Sequence, residues 1–434
     1  MTRLHVHGGQ LIDPGGAAAG QVADLFIAGG EIAGIGQAPD GFQTDRHIDA
    51  GGCLVCPGLI DLAVHLREPG GDHKASIDSE ARAAAAGGIT RMLASPATDP
   101  VTDTPAVVEL ITRRARQTQC TRVMPSGALT RGLEGELLTE VAALKAAGCL
   151  ALSDGGRPVH NTLVLRRALD YAATCDLPVI LSAFDADLMA GTSMHEGWVS
   201  ARLGLTGSPV AAETTAIARG LALAEDSGSH IHFARLSSAR GVQMIARARA
   251  AGLNVTADVA MHQLFLTEMD VSGFNSLCHV VPPLRGHADR EALRQAVRDG
   301  TIQAICSDHQ PHEADAKLAP FVASEPGISG LDSLLPLALR LVDEGLLSLP
   351  DMLTRLSRGP ADILGLSCGR LEIGRPADLC IIDPDATWWL RPETLHSHGE
   401  NTPFLGWEFT GRVRHTLLGG RLIHSAERES AHAS

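Results

Sequence analysis

The sequence has little lysine, no excess of positive charge and no long apolar run. Only three of its 36 basic residues are lysines, and 50 acidic residues leave a formal net charge of −14 at pH 7. That balance argues against a nucleic acid or an anionic membrane as partner. No stretch approaches the roughly 18 uninterrupted apolar residues of a membrane span, and the N-terminal segment lacks the apolar core of a signal peptide. We therefore expect a soluble, cytoplasmic protein.

The sequence also lacks the cysteine spacing of a zinc knuckle. Its nine cysteines are scattered, and Cys53 and Cys56 form a C-x-x-C motif without a second such pair to complete four ligands. We interpret these two residues as buried thiols at a strand end, since free cysteine behaves as a small apolar side chain.

The composition is that of a chain with a large core, because 44% of the 434 residues are hydrophobic and 20% are charged. From residue 57 onward, short apolar runs that end in polar residues alternate with Ala- and Arg-rich stretches at helical spacing. The runs cover residues 58–65, 90–95, 150–154, 178–182, 230–235, 254–259 and 302–308. We predict a closed (β/α)₈ barrel over residues 57–365. An open doubly wound sheet is the alternative, disfavoured because no G-x-G-x-x-G motif follows the first strand.

Short strands broken by Gly and Asp occupy both ends of the chain. They cover residues 4–7, 24–28 and 31–35 near one end, and residues 378–383, 412–417 and 421–424 near the other. The simplest arrangement that pairs both sets is a single small module beside the barrel. We therefore predict a composite β-sandwich built from residues 1–56 and 366–434.

Polar side chains cluster where the predicted barrel strands end. These residues are Asp61, His65, Arg67, Asp154, Ser182, Arg235, Asp308, His309 and His312. In a barrel, the carboxyl ends of the strands face the reaction site. A lone aspartate there is as often a helix N-cap as a ligand, and a lone histidine is usually hydrogen bonded. Together, however, carboxylates and imidazoles at several strand ends suggest a metal-assisted hydrolase.

Several segments point to one family. Residues 57–70 (PGLIDLAVHLREPG) resemble the first-strand signature of dihydroorotases in the cyclic amidohydrolase superfamily. Further matching segments are residues 83–90, 152–156, 195–200, 281–285, 307–312, 327–332, 369–379 and 401–404. The resemblance covers nearly the whole chain, and it implies the barrel, the composite β-module and a place in pyrimidine biosynthesis.

The resemblance also assigns the family's metal and base positions. They fall at Ala63, His65, Asp154, Ser182, Arg235 and Asp308. Active members carry His-x-His on the first strand, a bridging carboxylate, two further histidines and a catalytic aspartate. His65, Asp154 and Asp308 fit this pattern, with Asp308 in the general-base position. Three histidines are replaced, by Ala63, Ser182 and Arg235.

The positions that bind the substrate in this family are altered as well. The resemblance implies that Arg67 grips the substrate carboxylate and that His312 remains beside it. Two asparagine positions of the family fall at Ala97 and Val281, whose side chains cannot supply the amide hydrogen bonds.

These replacements weaken any metal site, because a catalytic zinc needs about three protein ligands and a labile water. Ala63 has no lone pair, Ser182 is a poor neutral ligand, and Arg235 cannot be deprotonated. Strand alternation predicts that Arg235 shares a face with Phe233, so that His232 points toward the helices and cannot substitute. His65, Asp154 and Asp308 could hold one weak ion at most, and we expect these residual positions to be empty and the protein to have no cofactor.

Two inward carboxylates without metal would be costly to bury unpaired. A guanidinium can neutralise them through charge-assisted hydrogen bonds. We therefore predict that Arg235 structurally replaces the metal centre and lies within salt-bridge distance of Asp154 or Asp308.

Three functional readings follow. The favoured one, implied by the resemblance, is a non-catalytic dihydroorotase-like protein that forms an oligomer with the catalytic chains of aspartate carbamoyltransferase. An alternative is an active zinc-dependent dihydroorotase that hydrolyses dihydroorotate to N-carbamoyl-aspartate with a reduced metal site and Asp308 as general base. A third is a sensor that binds a ligand through Arg67 without turnover.

Overall fold

The computed structural model describes residues 3–13, 16 and 20–426, and within them an eight-stranded sheet is assembled from both ends of the chain. The N-terminal part supplies β1 (Leu4–Leu11), β2 (Val22–Ala28), β3 (Glu31–Ile35), β4 (Arg46–Asp49) and β5 (Leu54–Pro57). The C-terminal part supplies β17 (Leu379–Trp389), β18 (Glu408–Leu418) and β19 (Arg421–Ser425). The strand order is β19-β18-β17-β5-β1-β2-β3, with β4 paired to β1. The predicted sheet-rich terminal module is therefore present.

The terminal sheet forms because its strands alternate apolar and polar residues, so that one face can be buried. In β1, Leu4 and Val6 are buried while His5 and His7 are more exposed. The two ends of the chain meet where β5 pairs with β17, in antiparallel register from Leu54 opposite Ile382 to Pro57 opposite Leu379. The buried face is apolar and includes Leu25, Ile27, Val55, Leu379, Ile381 and Leu417.

Between these segments lies a region of parallel strands. It contains β6 (Leu59–Val64), β7 (Ile89–Ala94), β8 (Arg122–Pro125), β9 (Gly127–Ala128), β10 (Leu152–Ser153), β11 (Val179–Ser182), β14 (Ile231–Ala234), β15 (Val255–Ala260) and β16 (Ala304–Cys306), with a separate small pair formed by β12 (Met194–His195) and β13 (Gly207–Ser208). One sheet has the order β6-β7-β8, and the other has the order β9-β10-β11-β14-β15-β16. A parallel bridge between Val64 and His309 links β6 to the segment after β16.

Helices alternate with these strands, as the sequence predicts for a mixed α/β fold. They are α1 (Ile77–Ala86), α2 (Pro105–Thr118), α3 (Val141–Ala147), α4 (Thr162–Thr174), α5 (Ala186–Met189), α6 (Trp198–Leu203), α7 (Val210–Ser227), α8 (Ala239–Ala250), α9 (His287–Asp299), α10 (Leu331–Asp343), α11 (Leu349–Leu353) and α12 (Gly359–Ile363). Within the described ranges, none of the helices combines the length and the apolar character needed to cross a bilayer.

The sequence prediction missed β8. This strand has four residues, begins at the exposed Arg122 and ends at Pro125. It therefore offers neither an apolar run nor a clear alternation, which are the two signals that identify a strand. The cysteine prediction is better supported, since all nine cysteines lie in the described ranges as free thiols, and Cys53 and Cys56 are buried.

A buried contact ties α1 to the strand end that carries Asp308. Glu80 accepts hydrogen bonds from Ser397 Oγ (2.7 Å) and from the backbone N–H of His398 (3.1 Å), and its Oε2 lies 2.8 Å from His309 Nε2. Burial acts to raise the pKa of Glu80, but the hydrogen bonds and the neighbouring His309 outweigh it, so the pKa lies below its ordinary value. Glu80 thus holds helix, strand end and C-terminal segment together.

We expect Glu80→Gln to lower the free energy of unfolding at pH 7 by about 2 kcal/mol, because charge-assisted hydrogen bonds are lost. A depressed carboxyl pKa stabilises the fold above the unfolded value, near 4.5, and this stabilisation is lost as pH falls through the lower folded value. The difference between the variant and the natural chain should therefore shrink below about pH 4.5. Urea denaturation at several pH values measures it, with the exposed Glu109→Gln as control; a difference that does not vary with pH would contradict this role.

Candidate functional site

The carboxyl ends of the central strands line a small, partly open cavity of about 50 Å³. Its lining includes Ala63, His65, Ser182 and Arg235. A water molecule occupies about 30 Å³ of liquid, whereas pockets for small molecules measure about 300–1,000 Å³. The cavity therefore has room for one or two waters.

Asp154 is held by Ser182, which follows it on the neighbouring strand. Ser182 Oγ donates to Asp154 Oδ1 (2.7 Å), and the Ser182 backbone N–H donates to Oδ2 (2.8 Å). The backbone N–H of Gly156 adds a third hydrogen bond, 3.1 Å from Oδ1. Burial raises the pKa of Asp154, although these donors and the charge of Arg235 oppose that rise. Both oxygens of this carboxylate are thus engaged by the protein itself.

Asp308 is held by Arg235. Arg235 Nη1 donates to Asp308 Oδ1 over 2.9 Å, with the two side chains 11% and 1% exposed, and Gln310 Nε2 donates to the same oxygen (3.0 Å). The predicted contact between Arg235 and a carboxylate is confirmed, and Asp308 rather than Asp154 is the partner. Burial acts to lower the pKa of Arg235, but the charge of Asp308 outweighs it and raises that pKa above its ordinary value. The guanidinium is therefore permanently charged.

The predicted orientation of the strand residues before Arg235 was wrong. Phe233 faces helix α7, because a Cβ added at Gly220 would lie 2.7 Å from the Phe233 ring. His232 is on the opposite face, with Nε2 3.0 Å from Asp258 Oδ2. Arg235 has a left-handed backbone (φ 59°), and this conformation breaks the strand alternation and turns its side chain toward Asp308.

The two predicted substrate-binding residues lie together, and neither is part of the lining of this cavity. Arg67 Nε donates to the Pro311 carbonyl oxygen (2.9 Å), and Arg67 Nη2 lies 3.0 Å from His312 Nε2. Burial, followed by the charges of Arg67 and Lys74, lowers the pKa of His312 to about 3. His312 is therefore neutral, and the guanidinium is fixed before any ligand binds.

His65, Ala97 and Val281 are the remaining predicted site residues. His65 is half-buried, and burial together with the charges of Arg67 and Arg235 holds its pKa well below the usual value. Ala97 and Val281 do not contribute to the lining of the cavity. The backbone N–H of Ala97 donates to Ser95 Oγ (3.3 Å).

Two residues of this region were not predicted from the sequence. Asp258 accepts hydrogen bonds from the backbone N–H of Arg235 (2.5 Å) and pairs with His232. His262 follows β15, is buried, and has neither ring nitrogen hydrogen bonded among the described residues. Burial lowers the pKa of His262 to about 4, with Asp308 raising it and Arg235 lowering it. Asp258 lies inside β15, between Ala257 and Val259, and a charged residue within an otherwise apolar run is the signal that could have identified it.

The site offers an incomplete set of metal ligands. Of the six assigned positions, only His65, Asp154 and Asp308 carry an imidazole or a carboxylate. These three do not form a group whose potential ligand atoms all lie within 4.8 Å of one another. Since Asp154 and Asp308 are already engaged by Ser182 and Arg235, the residues present do not fit a two-metal centre.

Comparison with known proteins gives one consistent family. The family model described as dihydro-orotase-like matches residues 52–240. The dihydroorotase-like proteins of Pseudomonas aeruginosa and Pseudomonas putida are each 52% identical to the chain, covering 97% and 98% of it and 99% and 100% of the relatives. A protein of Syntrophotalea carbinolica named dihydroorotase is 42% identical, covering 97% of this chain and 99% of the relative.

Solved structures resemble the chain in overall fold. The L-hydantoinase of Arthrobacter aurescens has a TM-score of 0.87 at 24% identity, covering 98% of this chain and 96% of the other. The dihydropyrimidinase of Brevibacillus agri has a TM-score of 0.85 at 21% identity, covering 98% and 95%. At this level of identity, the likeness extends to the overall fold alone.

Proposed function

The chain belongs to the dihydroorotase-like family, and from that membership we propose that it is a non-catalytic protein of pyrimidine biosynthesis. In this proposal it binds no metal at the strand ends and serves as a structural partner of aspartate carbamoyltransferase catalytic chains, within an oligomer. The observation that carries the proposal is the ion pair between Arg235 and Asp308.

The ion pair supports this proposal because the position that the resemblance assigns to a ligand histidine carries a cation bound to Asp308. At an effective dielectric constant of 20, a divalent ion about 4 Å from a guanidinium is repelled by about 8 kcal/mol. Arg235 cannot relieve that repulsion by losing its proton, since Asp308 raises its pKa further. Metal binding would therefore require Arg235 to leave a buried partner.

The hydrogen bonding of Asp154 supports the same proposal. Ser182 stands where a ligand histidine would stand, and its hydroxyl and backbone N–H donate to both oxygens of Asp154. A buried carboxylate that is satisfied in this way does not need a metal to offset its desolvation. The protein thus satisfies both carboxylates, Asp308 through the charge of Arg235 and Asp154 through hydrogen bonds from Ser182.

The cavity argues against turnover. Its volume of about 50 Å³ is several times smaller than the roughly 300–1,000 Å³ of small-molecule pockets. Arg67 is present, but its guanidinium is engaged with the Pro311 carbonyl and lies against His312. The same geometry disfavours a ligand sensor at this position.

The architecture is part of the proposal. We infer that the two parallel sheets form a single closed (β/α)₈ barrel over residues 57–365, with residues 1–56 and 366–434 as the composite β-sandwich. Hydrogen bonds from His65 N–H to the His309 carbonyl (2.9 Å) and from His309 N–H to the Ala63 carbonyl (3.0 Å) support this closure. The transferase partner is proposed from the resemblance to non-catalytic family members.

An active zinc-dependent dihydroorotase is the second candidate. It is favoured by the survival of His65, Asp154, Asp308 and Arg67 and by the 42% identical relative named dihydroorotase. In that case, bound zinc would ionise a water near neutral pH, Asp308 would move the proton, and Arg67 would orient the substrate carboxylate.

We expect the purified chain to show no conversion of dihydroorotate or carbamoyl-aspartate, in either direction, under conditions where the Syntrophotalea carbinolica relative is active. We also expect co-expression with the aspartate carbamoyltransferase catalytic chain of the same organism to yield a complex by size-exclusion chromatography. Dihydroorotase turnover by the chain would overturn the non-catalytic reading. If the chain shows no turnover and the two proteins elute separately, the non-catalytic proposal stands and only the partnership is overturned.

A further inference from the structure

A second cluster of ligand-type side chains lies on the terminal sheet, apart from the strand ends of the central region. His5 and His7 stand on β1, Asp24 on β2 and His47 on β4. His5 Nε2 is 2.8 Å from Asp24 Oδ2, and His7 Nδ1 is 3.1 Å from Asp24 Oδ1. Among the described residues, His5, His7 and Asp24 are a group of three whose ligand atoms all lie within 4.8 Å of one another.

The strand pairing puts these residues on one face. His5 and His7 are two positions apart in β1 and therefore point the same way. Val6 pairs with Leu25 in the antiparallel register, so Asp24 lies next to His7, and His5 pairs with His47 in the parallel register. The face is accessible, since the side chain of His7 is 64% exposed while those of His5 and Asp24 are 16% and 26% exposed.

We propose that this cluster is a binding site for a divalent transition-metal ion of the Zn²⁺ class, with His5 Nε2, His7 Nδ1 and a carboxylate oxygen of Asp24 as ligands. Two imidazoles and one carboxylate suit zinc, and solvent can supply the remaining position next to His7. Ligand atoms around a tetrahedral zinc lie roughly 3.4 Å apart, close to the 2.8 and 3.1 Å separations seen here. The inference does not depend on the proposed function.

The surroundings orient the ligands as metal sites require. The backbone N–H of Gly8 donates to Asp24 Oδ1 (2.9 Å), and the ring of His5 stacks on Phe26 at 4.6 Å. An aspartate carboxyl is ionised at neutral pH, as a metal ligand must be. A ligand with a fixed orientation and the correct charge loses little freedom when an ion binds.

His47 supplies an outer contact. Its Nδ1 lies 3.2 Å from His5 Nδ1. When His5 Nε2 binds an ion, that nitrogen must be free of its proton, and the proton resides on Nδ1. Nδ1 then donates to His47, which is the arrangement that fixes the tautomer of a metal-bound histidine. His47 is therefore a positioning residue and not a ligand.

The test is a titration of the full, tag-free chain with zinc chloride, followed by competition with a chromogenic chelator. We expect one equivalent to bind, at least 100-fold weaker binding in His7→Ala, and about tenfold weaker binding in His47→Ala, the usual loss for an outer partner. Because His7 is mostly exposed, its replacement leaves the sheet intact, which circular dichroism checks.

Two matched variants separate this site from other histidines. His287→Ala removes an exposed histidine of α9 whose partner is Glu291, and it should change the affinity less than twofold. His65→Ala removes the histidine at the strand ends and should also leave the affinity unchanged. The proposal fails if the natural chain binds no zinc, or if zinc binding survives in His7→Ala and is lost in His65→Ala.

Discussion

Replacing Arg235 by alanine is expected to lower the free energy of unfolding by about 3 to 5 kcal/mol, because the substitution leaves Asp308 buried without its cation. Asp308 is 1% exposed and would keep only the hydrogen bond from Gln310. The left-handed backbone at position 235 is not the cause, since alanine and arginine tolerate it equally badly. Urea denaturation at pH 7 measures the change, and Arg82→Ala serves as the control because its pair with Asp78 is exposed and worth at most about 1 kcal/mol.

Repeating Arg235→Ala in an Asp308→Asn chain shows whether the loss of unfolding free energy comes from the charge of Asp308. Asp308→Asn removes the carboxylate but retains a residue type that accepts a positive φ, as Asp308 does at 48°. In this background, Arg235→Ala should cost much less than in the natural chain. Equal costs in the two backgrounds would mean that Arg235 acts through packing and that the ion pair does not replace the metals.

Restoring three histidines is expected to restore zinc binding at the strand ends. The triple variant Ala63→His, Ser182→His and Arg235→His returns imidazole donors to three positions that line the same cavity, and it removes the competing guanidinium. The experiment uses a His7→Ala background so that the terminal sheet contributes no zinc. We expect stoichiometric zinc by metal analysis in this variant, and none in the His7→Ala chain that retains Ala63, Ser182 and Arg235.

The decisive control for this experiment keeps Arg235. In the double variant Ala63→His and Ser182→His, two donors are restored but the cation next to Asp308 remains. We expect this variant to bind no zinc at the strand ends, because the repulsion of about 8 kcal/mol persists at an effective dielectric constant of 20. Zinc binding by the double variant equal to that of the triple variant would contradict the central role of Arg235.

Much of the fold could be predicted from the sequence because its signals are local. Apolar runs located β6, β7, β11, β14 and β15 within one or two residues, since each run reflects burial on both faces of a parallel strand. The short strand Arg122–Pro125 escaped prediction because it is held by its neighbours on both sides and has no pattern of its own. Tertiary pairing, and not local preference, makes that segment a strand.

The sequence identifies which residues form the site, but it does not predict where all of their side chains point. The positions of Asp154, Arg235 and Asp308 follow from where the strands end, and the contact between Arg235 and a carboxylate follows from the cost of unpaired buried charge. Strand alternation counted back from Arg235, however, assigned the wrong face to His232, because the left-handed backbone at Arg235 turns the side chain of Arg235 itself off the face that alternation predicts. A backbone angle of this kind leaves no trace in a sequence in which the residue is not glycine.

The terminal sheet also bears on how the chain is made. All four residues of β5 are buried, and its partner β17 begins only at Leu379. At a synthesis rate of about 5–20 residues per second, the ribosome needs on the order of 15 to 65 s to reach that partner. During this interval, one edge of β5 is unpaired and apolar. Nascent chains that stall before Leu379 are therefore the form of this protein most exposed to aggregation and to capture by chaperones.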